Sequence, residues 1–183
     1  GPMVAVPRIL ETYRRLGIKQ SFFVPGWCIE TYPDAVEAIL TGGHEIGHHG
    51  YLHEDPIDTP DQRAWFERAL EAHHKYCGGT PSGYRAPVYN INQEVMDLLV
   101  EHGFRYDSSM MADDIPYRLE TQKGGLWEMP VHWGTDDWPP FAHYSEIGYM
   151  MPVAGPSTGL SGFWEEFDAA YEAGGFFMLI VHP

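Results

Sequence analysis

The feature that most constrains the fold of this chain is a repeated order of amphipathic helix and short apolar segment. Apolar residues recur at helical spacing over residues 6–16 and stop at Gly17, and a largely apolar segment follows at 18–24. This alternation is typical of chains that build a parallel α/β sheet. The opening of the chain therefore predicts a helix followed by a buried strand.

The same order returns along the rest of the chain. The other predicted helices cover residues 33–40, 60–77, 93–102 and a last segment through Phe163 and Phe167. The other predicted strands cover 43–47, 104–107, 126–133 and 176–181. Thr59 and Asn92 are the predicted N-caps of their helices. Between these elements, 113–117 and 135–141 are predicted to be irregular loops, and 144–159 a lid or extended excursion.

Four polar residues each follow the predicted carboxyl end of a strand or short segment. They are His49, Arg85, Asp107 and His182. A parallel barrel and a doubly wound sheet both collect reactive groups at these ends, and a barrel would bring all four to one mouth. With 183 residues and 44% hydrophobic content, the chain suffices for one core, so we expect a single domain over 1–183.

The charge of the chain restricts its partners. A formal charge of −15 argues against binding to nucleic acid or to an anionic membrane surface. No apolar run is long enough for a membrane span, and the N-terminus lacks the basic region and apolar core of a signal peptide. We therefore expect a cytoplasmic protein with a small-molecule or glycan substrate.

The densest group of candidate ligands lies in residues 43–56. Four histidines and three carboxylates occur there, and two H-x-x-x-H pairs are present, His44 with His48 and His49 with His53. Imidazole suits zinc and other first-row divalent ions, but the spacing does not choose between the pairs. The local context favours His49 and His53, because they follow the predicted strand in a segment that can turn back. The alternative is a set of core or surface histidines that bind nothing.

Three motifs, in this order along the chain, resemble the NodB-type polysaccharide deacetylases. They are the H-x-x-x-H pair, the Arg85-Ala86-Pro87 element and the closing Leu179-Ile180-Val181-His182. The resemblance covers most of the chain and implies a distorted (β/α) barrel with amide hydrolase activity. The same family includes peptidoglycan deacetylases, allantoinases and cyclic imidases.

The resemblance also implies roles for particular residues. His49 and His53 would hold a divalent metal, most simply zinc, and His182 would be the general acid. Arg85 would orient the catalytic aspartate, and the backbone amide of Val88 would help to hold the oxyanion. An ordinary surface ion pair is the alternative for Arg85.

Four further residues are weaker candidates. Asp107 either pairs with Arg85 as a catalytic residue or simply ends its strand. Tyr89 and Trp138 are candidates for lining the pocket, although packing under loops explains such aromatic residues as well. Asp114 is a candidate substrate contact. Solvated acidic loops are the alternative for Asp114 and for the neighbouring acids, which include Asp136 and Asp137.

Two parts of the family's fold are missing from this sequence. The aspartate-bearing first strand would precede the opening helix, and the last helix would follow His182. We therefore expect a barrel that lacks its first strand and last helix, either as a shortened form of a longer chain or as an intact protein without the chemistry. Exposed edges of such a barrel favour a homo-oligomer. The alternatives to a metal-dependent N-deacetylase are a metal-free cyclic imide or ureide hydrolase and a non-catalytic fragment.

Overall fold

The structure is a computed structural model that describes residues 1–142 and 153–183. These residues divide into two compact units. Unit 1 comprises residues 1–110, 117–129 and 183, and unit 2 comprises the described part of 111–116 and 130–182. The expectation of a single domain stays a prediction. Among the helices in these ranges, none is long and apolar enough to cross a membrane.

Unit 1 contains five helices and six strands among the described residues. The helices are α1 (Ala5–Leu16), α2 (Gly26–Thr31), α3 (Pro33–Thr41), α4 (Gln62–Tyr76) and α5 (Gln93–Glu101). The strands are β1 (Ser21–Val24), β2 (Glu45–His48), β3 (Gly83–Tyr84), β4 (Tyr106–Asp107), β5 (Tyr117–Thr121) and β6 (Gly124–Glu128). The predicted alternation of helices and strands is therefore present.

The six strands form one sheet in the order β1-β2-β3-β4-β6-β5. All neighbouring pairs are parallel except β5 and β6, which form an antiparallel hairpin. Since the carboxyl ends of β1 to β4 and β6 lie at one edge, the segments that follow them gather there. The α/β class predicted from the alternation is confirmed.

The core of unit 1 covers one face of this sheet. Ile46, Tyr84 and Leu126 all join its buried clusters, and the register of β2, β3, β4 and β6 places their side chains on the same face. The helical residues packed in these clusters are Val6, Ile29, Val36, Ile39, Phe66, Leu70, Ala72, Val95, Leu98 and Leu99. Side chains one position away along a strand therefore point away from the helices.

The helix caps confirm one predicted cap and correct another. The side chain of Asn92 accepts a hydrogen bond from the amide of Val95 at 3.1 Å, as an N-cap does. Thr59, in contrast, was a wrong choice for α4. Asp61 caps this helix and accepts from the amide of Ala64 at 3.1 Å, because it lies three residues before that amide.

Three elements of unit 1 were absent from the sequence prediction, namely α2, β3 and β5. The short helix α2 begins at Gly26, and the two-residue strand β3 precedes Arg85 in a segment without a strand prediction. Strand β5 follows the acidic loop directly and pairs with β6, which spans Gly124–Glu128 rather than 126–133. Pro130 ends the ladder early, since proline has no amide hydrogen to donate.

Unit 2 contains the last two helices, α6 (Trp138–Phe141) and α7 (Pro156–Ala173). The prediction of a buried strand at 176–181 was wrong. This segment makes a single parallel bridge between Ile180 and Asp136, and Ile180 is its one buried residue. Apolarity predicts burial but does not supply the neighbouring strand that a ladder needs. Of the predicted lid at 144–159, residues 144–152 lie outside the described part of the chain.

Candidate functional site

The loop that follows β2 brings His49 and His53 together. Their ring centroids lie 4.8 Å apart at an interplanar angle of 77°. His49 is half-buried directly after the strand, whereas His53 is exposed and has a left-handed backbone with φ 63°. The H-x-x-x-H spacing thus produces two neighbouring imidazoles without a helical turn.

One hydrogen bond fixes the chemical form of His49. Its Nδ1 lies 2.7 Å from the carbonyl oxygen of Arg85, so Nδ1–H donates and Nε2 keeps its lone pair. Burial lowers the pKa of His49 to about 3, and the neighbouring His53 adds to the effect. A neutral imidazole with a free Nε2 is the form that binds a metal ion.

The rival pair, His44 and His48, forms hydrogen bonds with backbone groups through its ring nitrogens. His48 is fully buried; its Nε2 donates to the carbonyl oxygen of Phe66 at 3.0 Å, and its Nδ1 accepts from the amide of Gly50 at 3.3 Å. Nδ1 of His44 accepts from the amide of Gln20 at 3.1 Å. His48 therefore packs in the core, and the choice of His49 and His53 as metal ligands stays a prediction.

Arg85 is buried beside the same loop. Its Nε donates to the carbonyl oxygen of Ser108 at 2.9 Å and its Nη2 to Ser108 Oγ at 2.7 Å. The guanidinium also lies 4.4 Å from the centroid of the Phe23 ring. An ordinary surface ion pair, the alternative weighed for Arg85, is therefore excluded by its burial.

Asp107 does not pair with Arg85, so that part of the prediction was wrong. The register places Asp107 beside Tyr84 and Glu128, on the helix-covered face of the sheet. Arg85 follows Tyr84 by one residue and points to the other face, because side chains alternate along a strand. The Asp107 carboxylate accepts from Ser109 Oγ at 2.7 Å and from the Ser109 amide at 3.1 Å.

Sequence reasoning missed the partner of Asp107, which is the fully buried Glu128. The amides of Ser109 and Met110 each donate to Glu128 Oε1 at 3.0 Å. Burial and the charge of Asp107 raise the pKa of Glu128 to about 9, and burial also raises the pKa of Asp107. Two buried carboxyl groups in contact share one proton at neutral pH. The inward position of Glu128, two residues after Leu126, was the signal available in the sequence.

The turn after Arg85 leaves one backbone amide without a backbone acceptor among the described residues. Pro87–Tyr89 forms a single 3-10 turn in which Val88 and Tyr89 have φ of 51° and 60°. The amides of Tyr89 and Asn90 donate to the carbonyl oxygens of Ala86 and Pro87, whereas the Val88 amide has no backbone acceptor among the described residues. Val88 is 52% exposed, and Tyr89 is half-buried. The predicted oxyanion donor is thus a backbone amide without a backbone partner.

Unit 2 holds the predicted general acid, His182. Its Nδ1 lies 2.6 Å from Asp137 Oδ1, and its backbone amide donates to Asp137 Oδ2 at 3.0 Å. The Trp138 ring meets the imidazole edge-on at a centroid distance of 5.5 Å. Because Asp137 accepts from Nδ1–H, the Nε2 of His182 is the nitrogen that can carry a proton to a substrate.

The acidic segment beside His182 is partly buried, unlike a solvated loop. Asp136 is 1% exposed, and its Oδ1 accepts from the Trp138 amide at 2.7 Å. The bridge to Ile180 buries it. Asp136, Asp137 and His182 also form the one group of three mutually close metal-ligand candidates in the described ranges. Asp114, the remaining candidate, is exposed, and its amide donates to Asp113 Oδ1 at 2.8 Å.

Comparison with known proteins identifies the family. A sequence model described as polysaccharide deacetylase matches residues 1–106. The chain belongs to the polysaccharide deacetylase family. Members of this family are hydrolases that act on carbon–nitrogen bonds other than peptide bonds, as the motifs implied.

Individual relatives agree with this assignment. The chain is 28% identical over 209 residues to a peptidoglycan deacetylase of Helicobacter pylori, and the match covers 98% of this chain and 71% of that protein. A solved Mycobacterium smegmatis structure described as a polysaccharide deacetylase is 36% identical, with a TM-score of 0.92 over all of this chain and 64% of that one. This chain therefore spans less than two thirds of that solved relative.

A second solved structure shares the fold alone. The PuuE allantoinase superposes with a TM-score of 0.83 at 22% identity, over 97% of this chain and 59% of that one. Together, the solved relatives confirm the predicted fold, a distorted barrel of the NodB type. The roles of individual residues remain predictions.

Proposed function

We propose that this protein is a metal-dependent hydrolase of non-peptide amide bonds that removes N-acyl groups from a glycan such as peptidoglycan. The observation that carries the proposal is the arrangement of His49. Its Nδ1 is held by the Arg85 carbonyl, and its ring lies beside that of His53. The peptidoglycan deacetylase of Helicobacter pylori supports the class of substrate.

The donor set of this loop suits a divalent ion. Imidazole is a ligand that zinc prefers, and His49 and His53 would supply two of the three protein ligands that a catalytic zinc site usually has. A divalent ion bound there would polarise the amide carbonyl and activate water. Zinc is the proposed ion, with His49 and His53 as its ligands.

Two further steps are assigned to residues of the chain itself, stabilisation of the oxyanion and protonation of the leaving nitrogen. The amide of Val88 would donate to the developing oxyanion, and the buried Arg85 keeps the preceding backbone in place through Ser108. His182, oriented by Asp137, would protonate the leaving nitrogen from Nε2. Tyr89, Asp114 and Trp138 are proposed substrate contacts, and the buried Asp107 is left without a catalytic role.

Metal content of the purified protein tests the proposal. Near-stoichiometric zinc is expected in the parent, with loss in His49→Ala and in His53→Ala. His74→Ala, which removes an exposed histidine from α4, is the matched control and should retain the metal. Loss of zinc in Asp136→Asn with retention in His49→Ala would instead place the ion at the group in unit 2 and contradict the ligand assignment.

The substrate class is tested separately. Acetate release from N-acetylated peptidoglycan fragments would support the deacetylase, and it should fall with metal removal. A metal-free cyclic imide or ureide hydrolase is the second candidate, because the chain shares the fold of an allantoinase. Turnover of a cyclic ureide by zinc-free protein, without acetate release from glycan, would favour that candidate. A folded protein inactive on both would favour the non-catalytic alternative.

Two further expectations accompany the proposal. We propose a cytoplasmic location and a homo-oligomeric state. Fractionation of cells and the molar mass in solution are the measurements that decide them.

A further inference from the structure

Backbone strain in the described residues is concentrated in two loops. Three residues other than glycine have positive φ, namely His53, Val88 and Tyr89. His53 lies in residues 49–56, here called the histidine loop, and the other two lie in residues 85–90, the arginine loop. A left-handed conformation is unfavourable for residues other than glycine, and the β-branched Val88 is a particularly poor fit. Contacts elsewhere must therefore hold these conformations.

The two loops are joined at their bases. They follow the neighbouring parallel strands β2 and β3, and the amide of Arg85 donates to the carbonyl oxygen of His48 at 3.0 Å. The bond from His49 Nδ1 to the Arg85 carbonyl continues this contact. A Cβ added at Gly50 would lie 3.2 Å from Cγ of Pro87, so the backbone at Gly50 lies close to the proline ring of the arginine loop.

The far ends of the loops are joined by one side-chain pair. Asn90 Nδ2 donates to Asp55 Oδ2 at 2.6 Å, across a sequence separation of 35 residues. The other carboxylate oxygen of Asp55 accepts from the Ile57 amide at 3.0 Å, which fixes the carboxylate in its own loop. The neighbouring Glu54 accepts from the amides of Tyr51 and Leu52. One carboxylate oxygen of Asp55 is therefore bound within its own loop, and the other accepts from Asn90.

We propose that Asp55 and Asn90 are positioning residues that clamp the histidine loop to the arginine loop. The clamp keeps the His53 ring and the Val88 amide in fixed positions, although both lie on strained backbone. Either loop relaxes when the hydrogen bond between them is lost. The consequence for metal binding rests on the proposed function, whereas the coupling of the loops does not.

Hydrogen exchange tests the coupling without a metal. Asn90→Asp places two carboxylates in contact, so exchange should rise about tenfold or more at the Tyr51 and Leu52 amides of the other loop. The double variant Asp55→Asn plus Asn90→Asp restores one amide–carboxylate bond with donor and acceptor exchanged, and should return exchange to the parent level. Asp58→Ala, which removes an exposed acid nearby, is the control. Exchange that rises only in residues 85–90, or that the double variant fails to restore, would overturn the clamp.

Metal affinity tests the consequence. Zinc titration of Asn90→Asp should show a dissociation constant at least about tenfold higher than that of the parent, and the double variant should recover it. A parent that binds no zinc would contradict the proposed function, and the exchange experiment would still decide the clamp. Normal zinc affinity in Asn90→Asp, with exchange raised at Tyr51 and Leu52, would leave the two loops coupled and refute the role of the clamp in placing His53.

Discussion

The histidines of the two units show how one side chain serves opposite purposes. In unit 1, His48 and His73 are fully buried and their rings stack at 5.6 Å, and burial lowers their pKa values to about 3 and about 4. In unit 2, the His182 side chain is 47% exposed and faces the Asp137 carboxylate. A buried histidine is kept neutral for packing, whereas an exposed one beside a carboxylate can exchange a proton with a substrate.

The two units also position their side chains differently. In unit 1, His49 and Arg85 each follow a strand of the parallel sheet. The pairing of these strands and the bond from His49 Nδ1 to the Arg85 carbonyl oxygen fix their positions. The segment ending in His182 has a single bridge, and the carboxylate of Asp137 accepts from both its backbone amide and its ring. We expect substitutions at the buried side chains of unit 1 to act mainly on stability and substitutions around His182 to act mainly on turnover.

The largest effect is expected from His182→Ala. Removing a general acid lowers kcat by about 10²–10⁴-fold, while the zinc content and the melting temperature should stay unchanged. Steady-state kinetics and elemental analysis measure the two quantities. His132→Ala, at an exposed histidine of the same unit, is the control and should keep its activity. Unchanged turnover in His182→Ala would end the contrast between the units.

The next effect concerns the proton shared by Asp107 and Glu128. The pKa of Glu128 is raised from its ordinary 4.5 to about 9, so the folded protein keeps a proton that the unfolded chain releases. This contribution to stability is complete below pH 4.5 and is lost as the pH rises through about 9, at up to about 1.4 kcal/mol per pH unit. Between pH 6 and 9, the free energy of unfolding measured with urea should depend less on pH in Glu128→Gln than in the parent. An equal slope in both proteins would refute the shared proton.

A smaller effect of opposite sign is expected from His73. Its ring nitrogens have no hydrogen-bond partner among the described residues, and its pKa is lowered from 6.5 to about 4. The contribution of His73 to the free energy of unfolding is therefore complete above pH 6.5. Up to about 3 kcal/mol of it is lost as the pH drops toward 4. His73→Phe should lose less stability than the parent between pH 7 and 5, as measured by thermal unfolding. A variant as acid-sensitive as the parent would show that other groups dominate.

The smallest effect separates the two candidate caps of α4. Asp61→Ala should lower the free energy of unfolding by about 1 kcal/mol, because the Ala64 amide loses its acceptor. Thr59→Ala should cost less than about 0.5 kcal/mol, since Thr59 does not cap the helix. Chemical denaturation of both variants measures the difference, and a larger loss in Thr59→Ala would reverse the assignment.

Prediction from the sequence succeeded where a pattern is local. Helical spacing located α1, α3, α4 and α5, and the side chain of Asn92 caps its helix as expected. The histidine spacing placed His49 and His53 in one loop. The strand prediction failed for 176–181. Apolar residues there indicated burial, but they could not show that this segment pairs with no neighbouring strand among the described residues.

The sequence by itself determined the alternation of helices and strands, the family motifs and the residues that carry them. Tertiary structure alone decided that Asp107 meets Glu128 instead of Arg85, that Asp136 is buried against Ile180, and that Asp55 reaches Asn90. The physical reason is that periodicity and capping act within a few residues of chain. Pairing between distant residues depends on strand register, on which face a side chain occupies and on how loops close, and none of these is written in a local pattern.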